Sequence, residues 1–313
     1  QGKGTQMTYT RIRNQEFSIK IKPLNSSPNI LYTDPDKFYN DVESFLKQKY
    51  PNQFSIKSQE KVGIEYFTKK LIEGLNFTFV KYGDGEIICM IGGKGKNCDD
   101  HPYSKKLATL LEQSFVKLLR NYNDVFLADW VDNLVKTRES YVNTNNLNPK
   151  FADYECFLTL DENMNDPKLL NFYRQIKVST RKKIFVGPKK LKDVSGMLNI
   201  DEFVEVPLID AFSQYDDVLN RIKNFGVNDN NIYILCCSMM SCLICSDLKE
   251  INNNITLLDI GSGFDPIFGE KTRPKQPSAE KCFEYYKEIL PDDYKFKKTA
   301  HAINRLNKSL AQF

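Results

Sequence analysis

From residue 103 to residue 259 the chain alternates strand-like and helix-like segments, and no other feature restricts its fold as much. Strands are expected at 124–128, 154–158, 183–187, 203–206, 231–236 and 255–259, with helices at 103–120, 166–177, 211–224 and 239–250 between them. Such regular alternation predicts an α/β fold, a mostly parallel sheet with helices on both faces. Upstream, 76–82 reads as a further strand, and Val62, Ile64, Phe67 and Leu71 share one face of a helix that Gly74 stops. The Asn-rich stretch 143–150 interrupts the pattern. Residues 1–35 are polar and irregular, with Asn25-Ser-Ser-Pro28 among them, and are expected to form an N-terminal arm. Helical periodicity starts at Asp36, so that 36–313 forms a single domain closing in amphipathic helices near 278–289 and 298–311.

In sheets of this kind ligands bind beyond the carboxyl ends of the strands. Four segments fall there: Tyr82–Glu86, Val186-Gly-Pro-Lys189, Cys236-Cys-Ser-Met239 and Leu258-Asp-Ile-Gly-Ser-Gly-Phe-Asp265. The first is the most site-like. Phe77, Thr78, Phe79 and Val80 favour a buried pleated segment, and Gly83 and Gly85 let the backbone turn sharply around Asp84 and Glu86. Two carboxylates at a strand mouth repel unless a cation lies between them. Mg²⁺ or Mn²⁺ carrying a nucleotide diphosphate would meet that need, and a plain Asp-Gly turn is the alternative reading.

Composition narrows the function classes. Lys+Arg 44 against Asp+Glu 40 leaves a formal charge of +4, spread along the chain with acids interleaved, which argues against nucleic acid and for a small-molecule ligand. Cys236, Cys237, Cys242 and Cys245 stand in an apolar run, so the expectation is reduced, buried thiols and a cytoplasmic protein. With His101 and His301 as the only histidines, Cys242-x-x-Cys245 has no second ligand pair for zinc. The run Ile232–Cys245 is too short and too interrupted by serines for a membrane span. A start at Gln1 rather than Met reads as the cut edge of something longer. Gly92-Gly-Lys-Gly-Lys96 lacks a Gly-Lys-Ser/Thr opening a helix, and is expected to act as a mobile substrate-side lid rather than a phosphate loop.

Taken in order, these segments resemble the GT-D-type glycosyltransferases, Rossmann-like single-domain enzymes with an Asp-x-Glu motif. Lys81-Tyr-Gly-Asp-Gly-Glu86 is similar to the family's Arg-Phe/Tyr-Gly-Asp-Gly-Glu. Ile184-Phe-Val-Gly187 and Ala211-Phe-Ser-Gln-Tyr-Asp-Asp-Val218 resemble its later strand and helix, and Ile234 to Asp247 with Leu258-Asp-Ile-Gly261 its last strand–loop–helix and Asp-Ile-Gly strand end. The likeness covers roughly residues 60 to 270. Two positions depart from it: Lys81 stands where Arg is commoner, losing bidentate phosphate geometry, and Ser262 stands where a His is frequent.

The resemblance implies metal-assisted transfer of a sugar from a nucleotide diphosphate sugar, a UDP-sugar, to a glycan or other hydroxyl acceptor. It implies Asp84 and Glu86 as metal ligands and catalytic acids, with Lys81 and Lys189 as cations for the diphosphate. Gly83, Gly187, Gly261 and Ser262 are expected against the nucleotide. Ser238, after a strand and before a helix, is an N-cap, a donor to phosphate or ribose, or both. Asp259 and Asp265 are a ribose contact and a base on the acceptor hydroxyl, or residues that cap and turn the chain. Tyr82 stacks on the uracil or packs in the core.

Two rival readings remain. Leu257-Leu-Asp-Ile-Gly-Ser-Gly-Phe264 looks like the first motif of an S-adenosylmethionine-dependent methyltransferase, but in those enzymes that strand opens the fold, and here about fifty residues follow it. A non-catalytic α/β interaction module would fit the Asn- and Lys-rich loops, yet has no reason to place two acids after a glycine-flanked strand end.

Overall fold

The computed structural model describes residues 7–9, 17–21, 31–32 and 61–294, apart from 98–99, 130–134, 270–271, 274 and 293. The chain divides into two compact units, Gln1–Gln59 and Glu60–Phe313. In the first, β1 (Met7–Tyr9), β2 (Phe17–Ile21) and β3 (Leu31–Tyr32) pair antiparallel within the stretch expected to be irregular. The helices expected from Asp36 and over 298–311 lie outside the described residues.

The second unit is an α/β fold around one sheet. Its strands are β4 (Lys61–Val62), β5 (Thr78–Val80), β6 (Val125–Asp129), β7 (Lys150–Asp153), β8 (Lys183–Pro188), β9 (Glu202–Val206), β10 (Ile232–Leu235) and β11 (Thr256–Asp259). They lie in the order 4-7-6-5-11-10-8-9 and every neighbouring pair is parallel. Period-2 alternation sorts the side chains: Phe79, Phe126, Ile234 and Leu258 enter one core, while Val80, Leu127, Leu235 and Leu257 enter the other. Helices Ile64–Ile72, Lys168–Val178 and Ala279–Tyr286 cover the first face through residues such as Phe67, Phe172 and Tyr286; helices Lys105–Asn121, Tyr215–Asn224 and Met240–Ile251 cover the second through Phe115, Ile222 and Ile244. Burial on both faces is why the strands read as near-continuous apolar runs.

Three local expectations are corrected. Val62 belongs to β4, and the helix begins after it at Ile64. Helix Val135–Thr144 has almost no apolar stripe, Arg138 being its buried residue, so periodicity could not announce it. The strand expected at 154–158 is displaced to β7, where Phe151 and Ala152 are buried; 154–158 instead turns away from the sheet, anchored by the fully buried Phe157.

The connectivity places the site. The chain leaves β8 toward β9 at one edge and leaves β10 toward β11 in the middle, so their outgoing loops diverge. The neighbouring strands β11 and β5 add two more carboxyl ends to this crevice. Being the last strand among the described residues, with seven strands of its sheet before it, β11 does not open a methyltransferase-like sheet, and its Gly-Ser-Gly turn leads into the short 3-10 helix Asp265–Phe268 rather than into a long helix.

Candidate active site

A cavity of about 460 Å³ lies at the carboxyl ends of the sheet, within the size range of small-molecule sites. Its walls are the segments that follow β5, β7, β8, β9, β10 and β11, with Leu158, Leu160, Leu191, Val206 and Pro207 forming an apolar side.

Three acids gather at one pole. After β5, Gly83 caps the helix Asp84–Met90, and Glu86 at its third position reaches back so that its Oε2 accepts the Gly83 N–H at 2.9 Å. Both acids thus occupy the first turn, where the helix dipole favours negative charge. Asp84 is exposed to the cavity mouth. Glu86 is set deeper: burial, then the neighbouring Asp259 and Asp84, push its carboxyl up to about 8. Asp259 ends β11 at 4% exposure and accepts the Lys81 N–H at 3.2 Å. Burial pushes it up to about 6, against the pull of Lys81. Gly85 is small because Asn97 lies on it; a Cβ there would come 3.0 Å from the Asn97 Cβ.

Lys81 sits beneath these acids. Its Nζ donates to the Ile260 carbonyl at 2.7 Å and lies 5.3 Å from the centre of the Tyr154 ring. Burial holds its pKa below that of a solvated lysine. Gly261 adopts φ +59, and a Cβ on it would stand 2.9 Å from that ammonium, so the turn after β11 both needs glycine and gives Lys81 its room.

A carboxyl whose pKa rises on folding takes up a proton as the chain folds, so stability is full below its ordinary pKa and falls as pH rises toward the raised one. For Asp259 and Glu86 that window runs from about 4 to about 8. In chelator, the melting temperature should therefore decline between pH 5 and pH 8, less steeply in Glu86→Gln and less steeply in wild type with Mn²⁺. A melting temperature that climbs over this range, unaltered by Glu86→Gln, would contradict the acid pole.

The remaining expected residues divide. Ser238, Gly261 and Ser262 line the cavity with Lys81, Asp84, Glu86, Asp259 and Asp265. Ser238 is in the left-handed region at φ +55, and its Oγ accepts from Asn97 Nδ2 at 2.7 Å; helix Met240–Ile251 is capped at Met239 without a side chain, so the Ser238 hydroxyl is not an N-cap. Tyr82 is fully buried, shares a 2.7 Å hydrogen bond with Ser114 and stands edge-on to Phe115, which removes it from any nucleobase. Gly83 contributes a helix cap behind the cavity wall. Gly187 lies inside β8, where a Cβ would meet Phe185 at 2.6 Å, a packing need rather than a ligand contact. Lys189 is exposed outside the cavity, and its neighbour Lys190 lines it, 3.3 Å from Asp265. Asp265 is 7% exposed and also accepts the Thr272 hydroxyl at 2.8 Å, so both oxygens have partners, which does not suit a base on an acceptor.

Sequence reading missed Tyr154, Asn97, His101, Arg273 and Gln276 in the wall. The Tyr154 hydroxyl is held far toward its protonated form by burial, then by Glu86, Asp259 and Asp84, with Arg273 opposing. Asn97 and His101 fasten the loop after helix Asp84–Met90: Asn97 Oδ1 accepts the His101 N–H at 2.9 Å, and His101 Nδ1 accepts the Ala211 N–H at 3.1 Å. Position just past a strand was a usable signal for Lys190; Arg273 and Gln276 carried none.

Among the described residues no group of three or more His, Cys, Asp and Glu side chains forms a self-sufficient metal site. Asp84 and Glu86 nevertheless fit a hard divalent cation that takes one or two carboxylates and completes its shell with ligand phosphates and water. The crowding of Glu86 by Asp84 and Asp259 is a charge excess that such a cation relieves.

No protein-family model and no curated protein matches the chain. Among solved structures, it is similar to a domain of unknown function 1792 described as having a distinct glycosyltransferase fold, with a TM-score of 0.51 and 18% identity, over 80% of this chain and 90% of that one. It is also similar to a protein of that domain type from Streptococcus sanguinis described as a new glycosyltransferase, with a TM-score of 0.50 and 14% identity, over 80% of this chain and 92% of that one. At these identities the likeness is one of fold alone.

Proposed function

We propose that this protein is a GT-D-type glycosyltransferase that moves a sugar from a nucleotide diphosphate sugar, a UDP-sugar, to a hydroxyl of a glycan or other acceptor, assisted by Mn²⁺ or Mg²⁺. The observation that carries the reading is the acid pole, Asp84, Glu86 and Asp259, opening into a cavity at the carboxyl ends of a parallel sheet. An isolated cluster of acids is costly unless a cationic ligand or metal–phosphate pair completes it.

Asp84 and Glu86 would hold the cation, which when bound supplies electrostatic stabilisation of the departing diphosphate. The protein's own groups do the rest. Lys81 compensates Asp259 and fixes the β11 turn through Ile260. Ser238, strained and tethered by Asn97, offers a hydroxyl at the strand end. The apolar wall, with Leu191 and Val206, keeps water from the reacting centre. A cytoplasmic site of action belongs to the proposal, supported by the unpaired, buried state of the described cysteines. Among the described residues no helix is long and apolar enough to cross a membrane.

Titration calorimetry over a panel of nucleotide sugars tests the reading. UDP and one or more UDP-sugars should bind with Mn²⁺ and at least tenfold more weakly, roughly, in chelator. Equal affinity in chelator would remove the metal from the account, and S-adenosylmethionine raising the melting temperature while no nucleotide binds would remove the glycosyltransferase.

A further inference from the structure

The cavity holds polar groups that the acid pole does not use. Tyr154 is brought there by the chain turning off β7, with Phe157 buried beneath it, and its ring rests against the Lys81 ammonium. Among the described residues its hydroxyl has no hydrogen-bond partner, and it borders the cavity. A half-buried phenol left without a partner is a donor waiting for an acceptor. Arg273 borders the same cavity.

Arg273 owes its position to Gln276, which is 2% exposed with every amide group engaged. Gln276 Oε1 accepts from Thr272 N at 2.7 Å, from Arg273 N at 2.8 Å and from the Thr272 hydroxyl at 3.1 Å; its Nε2 donates to the Ser262 carbonyl at 3.0 Å. The same Thr272 hydroxyl donates to Asp265, itself paired with Lys190. One buried amide thus fixes the backbone of Arg273 to the turn that follows Asp259 and contains Gly261 and Ser262.

We propose that the Tyr154 hydroxyl and the Arg273 guanidinium form an anion subsite for the phosphate groups of a nucleoside diphosphate, and that Gln276 is the residue that positions Arg273 for it. The phenol supplies a neutral donor and the guanidinium a charged fork, a pair suited to phosphate oxygens that a cation at Asp84 and Glu86 leaves uncovered. The inference rests on the reading of a nucleotide diphosphate ligand.

The test is calorimetry with UDP, uridine and inorganic pyrophosphate, with Mn²⁺ present, on wild type, Tyr154→Phe, Arg273→Ala, Gln276→Ala and the Arg273→Ala, Gln276→Ala double variant. Tyr154→Phe and Arg273→Ala should each weaken UDP and pyrophosphate about tenfold and leave uridine unchanged. Gln276→Ala should match Arg273→Ala, and the double variant should be no weaker than either. If Gln276→Ala melts too early to assay, Gln276→Glu takes its place, keeping the acceptor toward Arg273 and losing the donor to Ser262. UDP binding by Tyr154→Phe within about twofold of wild type overturns the subsite, as does a loss in Gln276→Ala that adds to that of Arg273→Ala. A wild type that binds pyrophosphate but not UDP contradicts the proposed function instead, and the pyrophosphate series then decides the subsite alone.

Discussion

Asp84→Asn and Glu86→Gln should each lower sugar transfer by about a hundredfold or more, the scale on which losing one stabilising group at a developing charge is felt. Neither should cost the fold. Asp84 is exposed, and its replacement leaves the helix Asp84–Met90 its other contacts. Gln at 86 keeps an oxygen able to accept the Gly83 N–H that Glu86 now accepts. The two variants should differ in pH behaviour, because Glu86→Gln removes the carboxyl that burial raises to about 8 while Asp84→Asn relieves one of the charges acting on it. A variant with near-normal turnover and a normal melting temperature would remove that residue from the site.

Phe157→Ala should be among the most destabilising single changes in the chain, by about 4 kcal/mol, lowering the melting temperature by about 10 °C. Phe157 is fully buried and its ring centre lies 5.1 Å from Phe67, 4.7 Å from Phe79 and 4.7 Å from Phe172, so truncation opens a cavity walled by rigid rings. It also anchors the turn that carries Tyr154 over Lys81. The surviving folded fraction should therefore bind nucleotide more weakly than wild type, and Phe157→Leu should recover most of both losses. Unchanged stability in Phe157→Ala would mean that this part of the core collapses around the change, contrary to its packing.

What the sequence disclosed followed from how local each signal is. The strand β5 and its glycine-flanked acids were legible because β-branched and aromatic residues, then Gly83 and Gly85, encode their geometry within a few positions. Alternation along an extended chain sets Tyr82 on the opposite side from Lys81, and Tyr82 joins Val80 in one core. That Tyr82 packs in the core rather than meeting a ligand, however, is decided by Ser114 and Phe115 on a distant helix. Tyr154 was hidden because Tyr154 to Leu158 is apolar enough to read as a strand, and only the packing of Phe157 against Phe67 and Phe79 turns the segment out of the sheet. At β8 the strand runs through Pro188, which carries Lys190 rather than Lys189 into the cavity. Arg273 and Gln276 come from a stretch without periodicity, where the buried amide network alone confers position.

The most direct measurement is release of free UDP from a set of UDP-sugars, with and without acceptor, in Mn²⁺ or in chelator. The account predicts release from at least one donor that needs the cation, falls by about a hundredfold or more in Asp84→Asn, and rises when a hydroxyl acceptor is supplied. Wild-type protein that is folded, Mn²⁺-loaded and inert toward every nucleotide sugar, or release that proceeds equally in Asp84→Asn, would contradict it.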